Sequence, residues 1–233
     1  MDHFQHIYRH QAADYHRMIE PEDTDHNLLP ALKQITPLTG QRILDLGTGT
    51  GRLPLLLHEE TQQFVGLDLH AGMLHQNKVQ QIAVGGNWGL IQGDMRGLPL
   101  PAAWADVILA GWSVGHSRAW YATDWQTQIG RMVAEMHRVA APDGTLIILE
   151  TLTTGSTTPA PPTPELAEYY TWLESKWGFT RRQIPTDFYF DSVEEAVAYT
   201  EFFFGADLSA KIRQNGWSRL PEWTGLWSKH LIS

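Results

Sequence analysis

Residues 43–52 read ILDLGTGTGR, in which a short apolar stretch is followed by an acid and by three glycines at alternate positions. Glycine allows a chain to leave a strand, turn sharply and enter a helix while backbone N–H groups face a ligand. Each glycine would destabilise regular structure by about 0.5–1 kcal/mol, which argues against a turn that merely packs a strand on a helix. The stretch therefore predicts a strand, a cofactor-binding turn and a helix.

The spacing of the glycines distinguishes two classes of cofactor. A dinucleotide-binding turn has the pattern G-x-G-x-x-G, whereas Gly47 and Gly49 are followed by Arg52 at the place of the third glycine. Asp45, at the end of the predicted strand, would repel a pyrophosphate and would attract a ligand with an ammonium group, directly or through water. The pattern disfavours a nucleotide-dependent oxidoreductase and indicates a ligand that carries positive charge.

The composition excludes several classes of function. A chain of 233 residues suits one domain with a sizeable core, and the lack of cysteine excludes disulfides, cysteine-metal sites and thiolate nucleophiles. The formal net charge is -9, without a cluster of Lys and Arg, so we expect no nucleic-acid partner. No signal-peptide pattern and no apolar run of about 20 residues is present, so we expect no membrane partner and a cytoplasmic monomer or homodimer.

From residue 41 the sequence alternates between strands and helices, which predicts a parallel sheet covered by helices on both faces. The predicted strands are 42–46, 64–67, 88–91, 105–110, 145–150, 181–190 and 223–232. The predicted helices are 3–20, 25–37, 52–58, 71–84, 124–141, 165–176, 192–204 and 207–216. Residues 142–144 read PDG and predict a turn that ends the long helix before the fifth strand.

The motif DLGTGTG at residues 45–51 resembles motif I of the class I S-adenosylmethionine-dependent methyltransferases, including small-molecule and quinone methyltransferases. Matching motifs recur over roughly residues 41–151. The resemblance implies a doubly wound, Rossmann-like α/β fold: a seven-stranded, mostly parallel sheet of order 3-2-1-4-5-7-6, with the last strand antiparallel and helices on both faces. It also implies one methyltransferase domain over residues 1–233, with a helical cap (1–40), a cofactor-binding core (41–151) and a C-terminal part of helices and a strand hairpin (152–233).

The resemblance implies S-adenosyl-L-methionine as cofactor and S-adenosyl-L-homocysteine as product. Asp68 ends the second predicted strand, where a carboxylate can accept hydrogen bonds from both ribose hydroxyls. Asp94 resembles the family's acceptor for the adenine amine, Met95 takes the place whose N–H serves a ring nitrogen, and Met73 resembles the apolar residue on the adenine face, although it could also be core. The expected cofactor-binding residues are Asp45, Gly47, Thr48, Gly49, Gly51, Asp68, Leu69, Met73, Asp94, Met95 and Trp112.

Arg52 could approach the cofactor's carboxylate, but an arginine at the start of a helix is more often on the surface. Trp112 could form a wall of the cofactor site or pack beneath it.

The acceptor side is expected at the carboxyl end of the fourth strand, which faces the reacting methyl group in this family. Residues 111–116 read GWSVGH there. His116 is therefore the candidate general base, although a histidine in a loop can also cap a helix or face water. The candidate substrate-pocket residues are Tyr8, Tyr15, His26, His116, Glu150, Tyr169 and Arg181.

No metal-ligand spacing is present, so we expect no metal. We interpret the chain as a methyltransferase that acts on the oxygen, nitrogen or carbon of a small molecule. A protein substrate, or a non-catalytic protein that binds the cofactor, remains an alternative.

Overall fold

The computed structural model describes residues 3–232, and within them the chain forms nine strands and ten helices. The strands are β1 (Arg42–Leu46), β2 (Gln63–Asp68), β3 (Gly89–Gln92), β4 (Ala105–Gly111), β5 (Ala140–Thr154), β6 (Thr180–Pro185), β7 (Phe188–Tyr189), β8 (Arg219–Leu220) and β9 (Glu222–His230). The helices are α1 (His3–His10), α2 (Ala12–Ile19), α3 (Leu28–Ile35), α4 (Arg52–Leu57), α5 (Ala71–Ala83), α6 (His116–Trp120), α7 (Trp125–Val139), α8 (Pro164–Trp177), α9 (Val193–Phe204) and α10 (Ala206–Asn215).

Seven strands form one sheet in the order β3-β2-β1-β4-β5-β9-β6, while β7 and β8 form a separate two-stranded ribbon. Strand β9 is the seventh strand of the large sheet along the chain, and it runs antiparallel to both β5 and β6. The predicted order 3-2-1-4-5-7-6, with the last strand antiparallel, is confirmed. The carboxyl ends of β1, β2 and β4 meet at one edge of the sheet because these strands are parallel.

The two faces of the sheet are covered by different helices, as β4 shows. Its residues Ile108 and Ala110 belong to a core that includes the buried stripe of α7, whereas Val107 and Leu109 belong to a core with α3 and α4. Successive side chains of a strand point to opposite faces, so a strand buried on both faces is apolar throughout. The doubly wound arrangement with helices on both faces is therefore confirmed.

The N-terminal segment differs from the prediction of one helix over 3–20. The backbone leaves the helical region at Gln11, and the segment becomes the two helices α1 and α2. This break lets α1 lie against the start of α5, where a Cβ on Gly72 would stand 3.0 Å from the carbonyl oxygen of Arg9. Tertiary packing has overridden a continuous helical pattern.

Three further elements differ from the sequence prediction. Strand β5 begins before the predicted turn, and its pairing with β4 jumps from Ala140 to Thr145, so that the PDG sequence forms a bulge in the ladder. The extended segment 181–190 splits into β6 and β7 and pairs in two different sheets. Helix α6 was not predicted, since five residues are too few for a periodic apolar pattern.

Within residues 3–232, no helix is long and apolar enough to span a bilayer. In the same range, no group of three or more His, Asp or Glu side chains is arranged to hold a metal ion.

Candidate functional site

The glycine turn after β1 has the backbone that its sequence predicts. Gly47, Gly49 and Gly51 all have positive φ angles, of 73°, 53° and 105°. A Cβ on Gly47 would lie 2.3 Å from the Cβ of Ser113, whose hydroxyl donates to the carbonyl oxygen of Leu46 at 2.8 Å. Glycine is thus required at position 47 both for its conformation and for the close approach of the loop after β4.

Asn77 on α5 holds the other side of the turn. Its amide donates to the carbonyl oxygen of Gly49 at 3.1 Å and accepts from the indole N–H of Trp88 at 2.9 Å. A Cβ on Gly51 would lie 3.2 Å from the Asn77 amide. Asn77 could not be identified from the sequence, because a polar residue on a helix gives no sign of its partner. Its contact with the turn arises only when α5 packs against the sheet.

Asp68, at the end of β2, binds the backbone of the glycine turn. Its Oδ2 accepts from the N–H of Gly49 at 2.9 Å, and its Oδ1 accepts from the N–H of His70 at 2.8 Å. Burial raises the pKa of Asp68 to about 6, and these N–H groups oppose the rise. Each carboxylate oxygen keeps a second lone pair that can accept a hydrogen bond from a ligand.

Asp45 is a buried acid. It is 1% exposed, and neither of its carboxylate oxygens has a hydrogen-bond partner of good geometry. Burial raises its pKa to about 7, the nearby Thr48 hydroxyl opposes this rise, and the charge of Asp68 adds to it. Buried polar groups in folded proteins almost always have partners, so this carboxyl is an exception that a functional role would explain.

Asp94 has a partner in its own loop. Arg96 holds its carboxylate through Nε, at 3.0 Å from each oxygen, and through Nη2. Hydrogen bonds from this guanidinium lower the pKa of Asp94. Asp94 is therefore ionised, and any ligand amine would share it with Arg96.

A cleft opens above the turn. Eight of the predicted cofactor residues line it: Gly47, Gly49, Asp68, Leu69, Met73, Asp94, Met95 and Trp112. The other three do not line it. Thr48 packs under Gly66, Gly51 forms the N-cap of α4, and Asp45 lies in β1 before the turn.

A second, larger cavity of about 1960 Å³ adjoins the cleft. Five aromatic residues line both spaces: Tyr8, Tyr15, Trp112, His116 and Trp120. The structure thus places α1, α2 and α6 at the boundary between the cleft and the larger cavity.

His116 stands at this boundary as the first residue of α6. Its Nε2 lies 2.8 Å from the hydroxyl of Tyr8, and its ring stacks on Trp120 with centroids 5.2 Å apart. Tyr8 in turn meets the ring of Tyr15 edge-on at 5.5 Å. A histidine held in this way has a fixed ring orientation, which a proton-accepting group requires.

Trp112 follows β4 with a left-handed backbone, at a φ of 49°. This conformation is uncommon for a bulky residue and persists only where the surroundings enforce it. The backbone N–H of Trp112 donates to the carbonyl oxygen of Leu149 at 2.7 Å. The guanidinium of Arg52 lies 3.8 Å from the centre of the Trp112 ring. With this backbone conformation, Trp112 lies in the wall that the cleft and the larger cavity share.

Glu150, near the middle of β5, lines the larger cavity. Its Oε1 accepts from the N–H of Gly115 at 2.8 Å and from the hydroxyl of Tyr169 at 3.3 Å. Burial raises its pKa to about 8, so the side chain is mainly protonated at neutral pH. Glu150 fixes the backbone directly before His116.

A buried charged cluster that sequence analysis missed lies in the larger cavity. Arg52 forms an ion pair of 2.7 Å with Glu22, and both side chains are largely buried. Glu222, the first residue of β9, is 2% exposed, and its Oε2 has no hydrogen-bond partner. The interpretation of Arg52 as a surface residue is wrong, because its side chain is only 17% exposed and lies between Glu22 and Trp112.

Three predicted pocket residues lie elsewhere. Tyr169 is fully buried behind Glu150, and its neighbour Tyr170 lines the cavity instead. His26 is exposed in the loop before α3, and Arg181 is exposed on the edge strand β6, where it contacts Glu174 and Trp227. Neither His26 nor Arg181 lines the cleft or the cavity.

Parts of this chain are similar in sequence to known methyltransferases. Residues 44–148 match the family described as "Methyltransferase domain". The malonyl-[acyl-carrier protein] O-methyltransferase of Yersinia pestis is 31% identical over 134 residues, which are 58% of this chain and 44% of that protein. The demethylmenaquinone methyltransferase of Thermus thermophilus is 32% identical over 112 residues, 47% of each chain. The chain thus spans about half the length of the curated relatives that it matches.

Solved structures share the fold over a longer stretch. A methyltransferase from Aquifex aeolicus, described as SAM-dependent, matches with a TM-score of 0.60 over 100% of both chains, at 16% identity. A phosphoethanolamine N-methyltransferase from Haemonchus contortus, in complex with phosphomonomethylethanolamine and S-adenosylhomocysteine, matches with a TM-score of 0.62 at 16% identity, over 100% of this chain and 61% of that one.

Proposed function

We propose that this chain, whose residues 44–148 match a methyltransferase domain, is a class I S-adenosylmethionine-dependent methyltransferase that transfers a methyl group from S-adenosyl-L-methionine to a small molecule. The observation that carries the proposal is the pair of adjoining spaces: a cleft built on the glycine turn and Asp68, and a cavity that shares its aromatic wall. We propose that residues 1–40 act as a cap over this boundary and that residues 41–233 complete the same domain.

The residues of the cleft fit the cofactor in charge and shape. The left-handed glycines leave the turn open, since a Cβ on Gly49 would meet nothing closer than the Met73 methyl at 3.6 Å. Asp68 would accept the ribose hydroxyls, and Asp94 with Met95 would hold the adenine. The unpartnered Asp45 carboxyl supplies negative charge near the turn for the cofactor's ammonium group, directly or through water.

When bound, S-adenosylmethionine supplies a methyl group already activated on a sulfonium. The protein's part is to hold the acceptor in line and to exclude water, a positioning effect that contributes up to about 7–11 kcal/mol. Tyr8, Tyr15, Trp112 and Trp120 form the aromatic boundary that would exclude water. We propose that His116 takes the acceptor's proton when the acceptor is a hydroxyl or an ammonium group, with Tyr8 fixing the imidazole.

The relatives do not share one acceptor. Their names refer to malonyl-[acyl-carrier protein] and to demethylmenaquinone. The matched family segment, residues 44–148, contains the glycine turn, whereas Glu22 and Glu222 in the larger cavity lie outside it. The acceptor of this protein therefore has to be inferred from its own cavity, which favours a small molecule over a protein because the space is walled and aromatic.

Isothermal titration calorimetry with S-adenosylhomocysteine and with NAD tests the cofactor assignment. We expect saturable binding of the first and none of the second. Asp68→Ala should weaken binding by ~1.5–3 kcal/mol, the value of hydrogen bonds to a charged group. Asp14→Ala, which removes an exposed carboxylate, is the matched control and should bind like the wild type.

Turnover of S-adenosylmethionine to S-adenosylhomocysteine against small molecules, peptides and lysates tests the activity. Release of product with small molecules supports the proposal, whereas release only with peptides supports a protein substrate. Cofactor binding without turnover in every fraction would favour the non-catalytic binding protein.

A further inference from the structure

We propose that the larger cavity recognises an amphipathic amine: a molecule with an apolar body and an ammonium group that pairs with Glu222. The inference rests on the proposed function in one respect, that this cavity receives the methyl acceptor. It goes further in naming the acceptor's chemical class.

The first observation is the number of acidic side chains that line the cavity. Four carboxyl groups line it, from Glu22, Glu150, Glu165 and Glu222, against two guanidinium groups, from Arg52 and Arg118. Arg118 is already paired with Glu168, at 2.7 Å, which does not line the cavity. The cavity therefore has an excess of acidic groups.

The second observation is that Arg52 does not neutralise Glu222. Its charge is paired with Glu22 at 2.7 Å, and its guanidinium lies 3.8 Å from the centre of the Trp112 ring. Among the described residues, no ion pair is found for Glu222. The cluster has two carboxyl groups for one cation, so one carboxyl remains for a ligand.

The third observation is the state of Glu222 itself. It is 2% exposed, it lines the cavity, and its Oε2 has no partner. An unpaired polar atom at a buried position destabilises the fold, and a ligand that supplies a donor would relieve it. An ammonium group offers three donors and the opposite charge.

The walls of the cavity define the rest of the ligand. Phe188, Phe203, Phe204 and Leu208 from the C-terminal half face Met18 from α2. Aromatic faces attract cations as well as apolar groups. A carboxylate ligand would have to compete with Glu22 for Arg52, and it offers no hydrogen-bond donor to Glu222.

The protonation of Glu222 gives the inference a second signature. Burial raises its pKa well above the usual range, and the charge of Glu22 adds to the rise. Hydrogen bonds from the side chains of Thr154 and Thr151 and the charge of Arg52 oppose it. The free cavity therefore holds a proton on Glu222. An ammonium ligand displaces this proton to solvent, so its binding releases a proton and becomes tighter as the pH rises towards the pKa of the amine.

The test uses three probes with one ring system: naphthylethylamine, naphthylethanol and naphthylacetate, titrated calorimetrically into the protein with and without S-adenosylhomocysteine. We expect the amine to bind at least tenfold more tightly than the alcohol and the acetate. Glu222→Gln should reduce the amine's affinity to that of the alcohol. Glu60→Gln, which changes a surface carboxylate paired with Lys33, should have no effect.

Titrations of the wild type in phosphate and in Tris measure the proton balance without any variant, so the inference stays testable if Glu222→Gln does not fold. Release of a proton with the amine, and none with the alcohol, supports it. Tighter binding of the acetate, an amine-to-alcohol ratio unchanged by Glu222→Gln, or no amine binding to the wild type overturns it. Because the probes are titrated without cofactor as well, loss of S-adenosylhomocysteine binding alone would overturn the proposed function and leave this inference standing.

Discussion

Asp45→Asn should make the folded protein more stable while it weakens binding of S-adenosylhomocysteine. Asp45 is buried without a hydrogen-bond partner, and its pKa is raised from 3.8 to about 7. A group whose pKa is higher in the folded state binds its proton more tightly there, so stability falls as the pH rises from the unfolded pKa through the folded one. Asparagine has the same shape and cannot ionise.

The magnitude follows from these pKa values. At about 1.36 kcal/mol per pKa unit, the rise from 3.8 to about 7 corresponds to a ceiling of about 4 kcal/mol above pH 7. The buried amide of asparagine would also lack partners, which costs about 1–3 kcal/mol. We therefore expect Asp45→Asn to raise the free energy of unfolding by about 1–3 kcal/mol at pH 8.

Guanidinium chloride unfolding at pH 4 and pH 8 measures this effect. The gain should be present at pH 8 and nearly absent at pH 4, where the folded carboxyl is protonated and the pH is close to the unfolded pKa of 3.8. Asp106→Asn is the control, and it should lower the stability at pH 8. Arg42 lowers the pKa of Asp106, so the ionised carboxylate stabilises the folded protein at pH 8 and this stabilisation is lost on acidification. A loss of stability at pH 8 in Asp45→Asn would refute the reasoning, since it would mean that the carboxylate is compensated in the free protein.

Three further predictions follow from contacts around the two spaces. Gly47→Ala places a Cβ 2.3 Å from the Cβ of Ser113 on a backbone with positive φ, and urea unfolding should show a loss of stability of ~2–4 kcal/mol. Gly85 also has positive φ but open space around it, so Gly85→Ala should lose only about 1 kcal/mol. Glu150→Gln should match the wild type in thermal stability at pH 4 and exceed it at pH 9, because the pKa of Glu150 is raised to about 8; equal stability at both pH values would contradict this. His116→Asn should reduce turnover by about 10²–10⁴ and leave S-adenosylhomocysteine affinity within twofold, and full turnover would exclude an essential base there.

The proposed cofactor cleft could be predicted from sequence because most of its parts are local. Asp45 is the last residue but one of β1, Asp68 ends β2 and Asp94 follows β3, and parallel strands bring their carboxyl ends to one edge. Beyond its own residues, the glycine turn needs two close neighbours, Ser113 and Asn77. The pattern therefore placed most of the predicted cofactor residues around one cleft.

The charged cluster of the larger cavity could not be predicted, since it is assembled from segments far apart in the chain. Glu22, Arg52 and Glu222 come from a loop after α2, the start of α4 and the start of β9. Nothing in their separate neighbourhoods indicates that they meet. Only Glu222 gave an indication of this cluster, because it is an acidic residue at the start of a mostly buried strand.

Tyr169 and Tyr170 show a second limit of the sequence. Neighbouring residues of a helix point about 100° apart, so only the rotation of α8 decides which tyrosine lines the cavity. The docking of α8 turns Tyr169 towards Trp125 and Glu150 and leaves Tyr170 at the cavity wall. A periodic pattern of apolar residues cannot fix this angle when both neighbours are aromatic.

The most direct measurement for the central claim is a crystal structure of the protein grown with S-adenosylhomocysteine. The account predicts density for the adenosyl group in the cleft beside Gly49, with the ribose hydroxyls on Asp68 and the adenine between Asp94 and Met73. Density at any other place, or a cleft without ligand at saturating concentration, would contradict it.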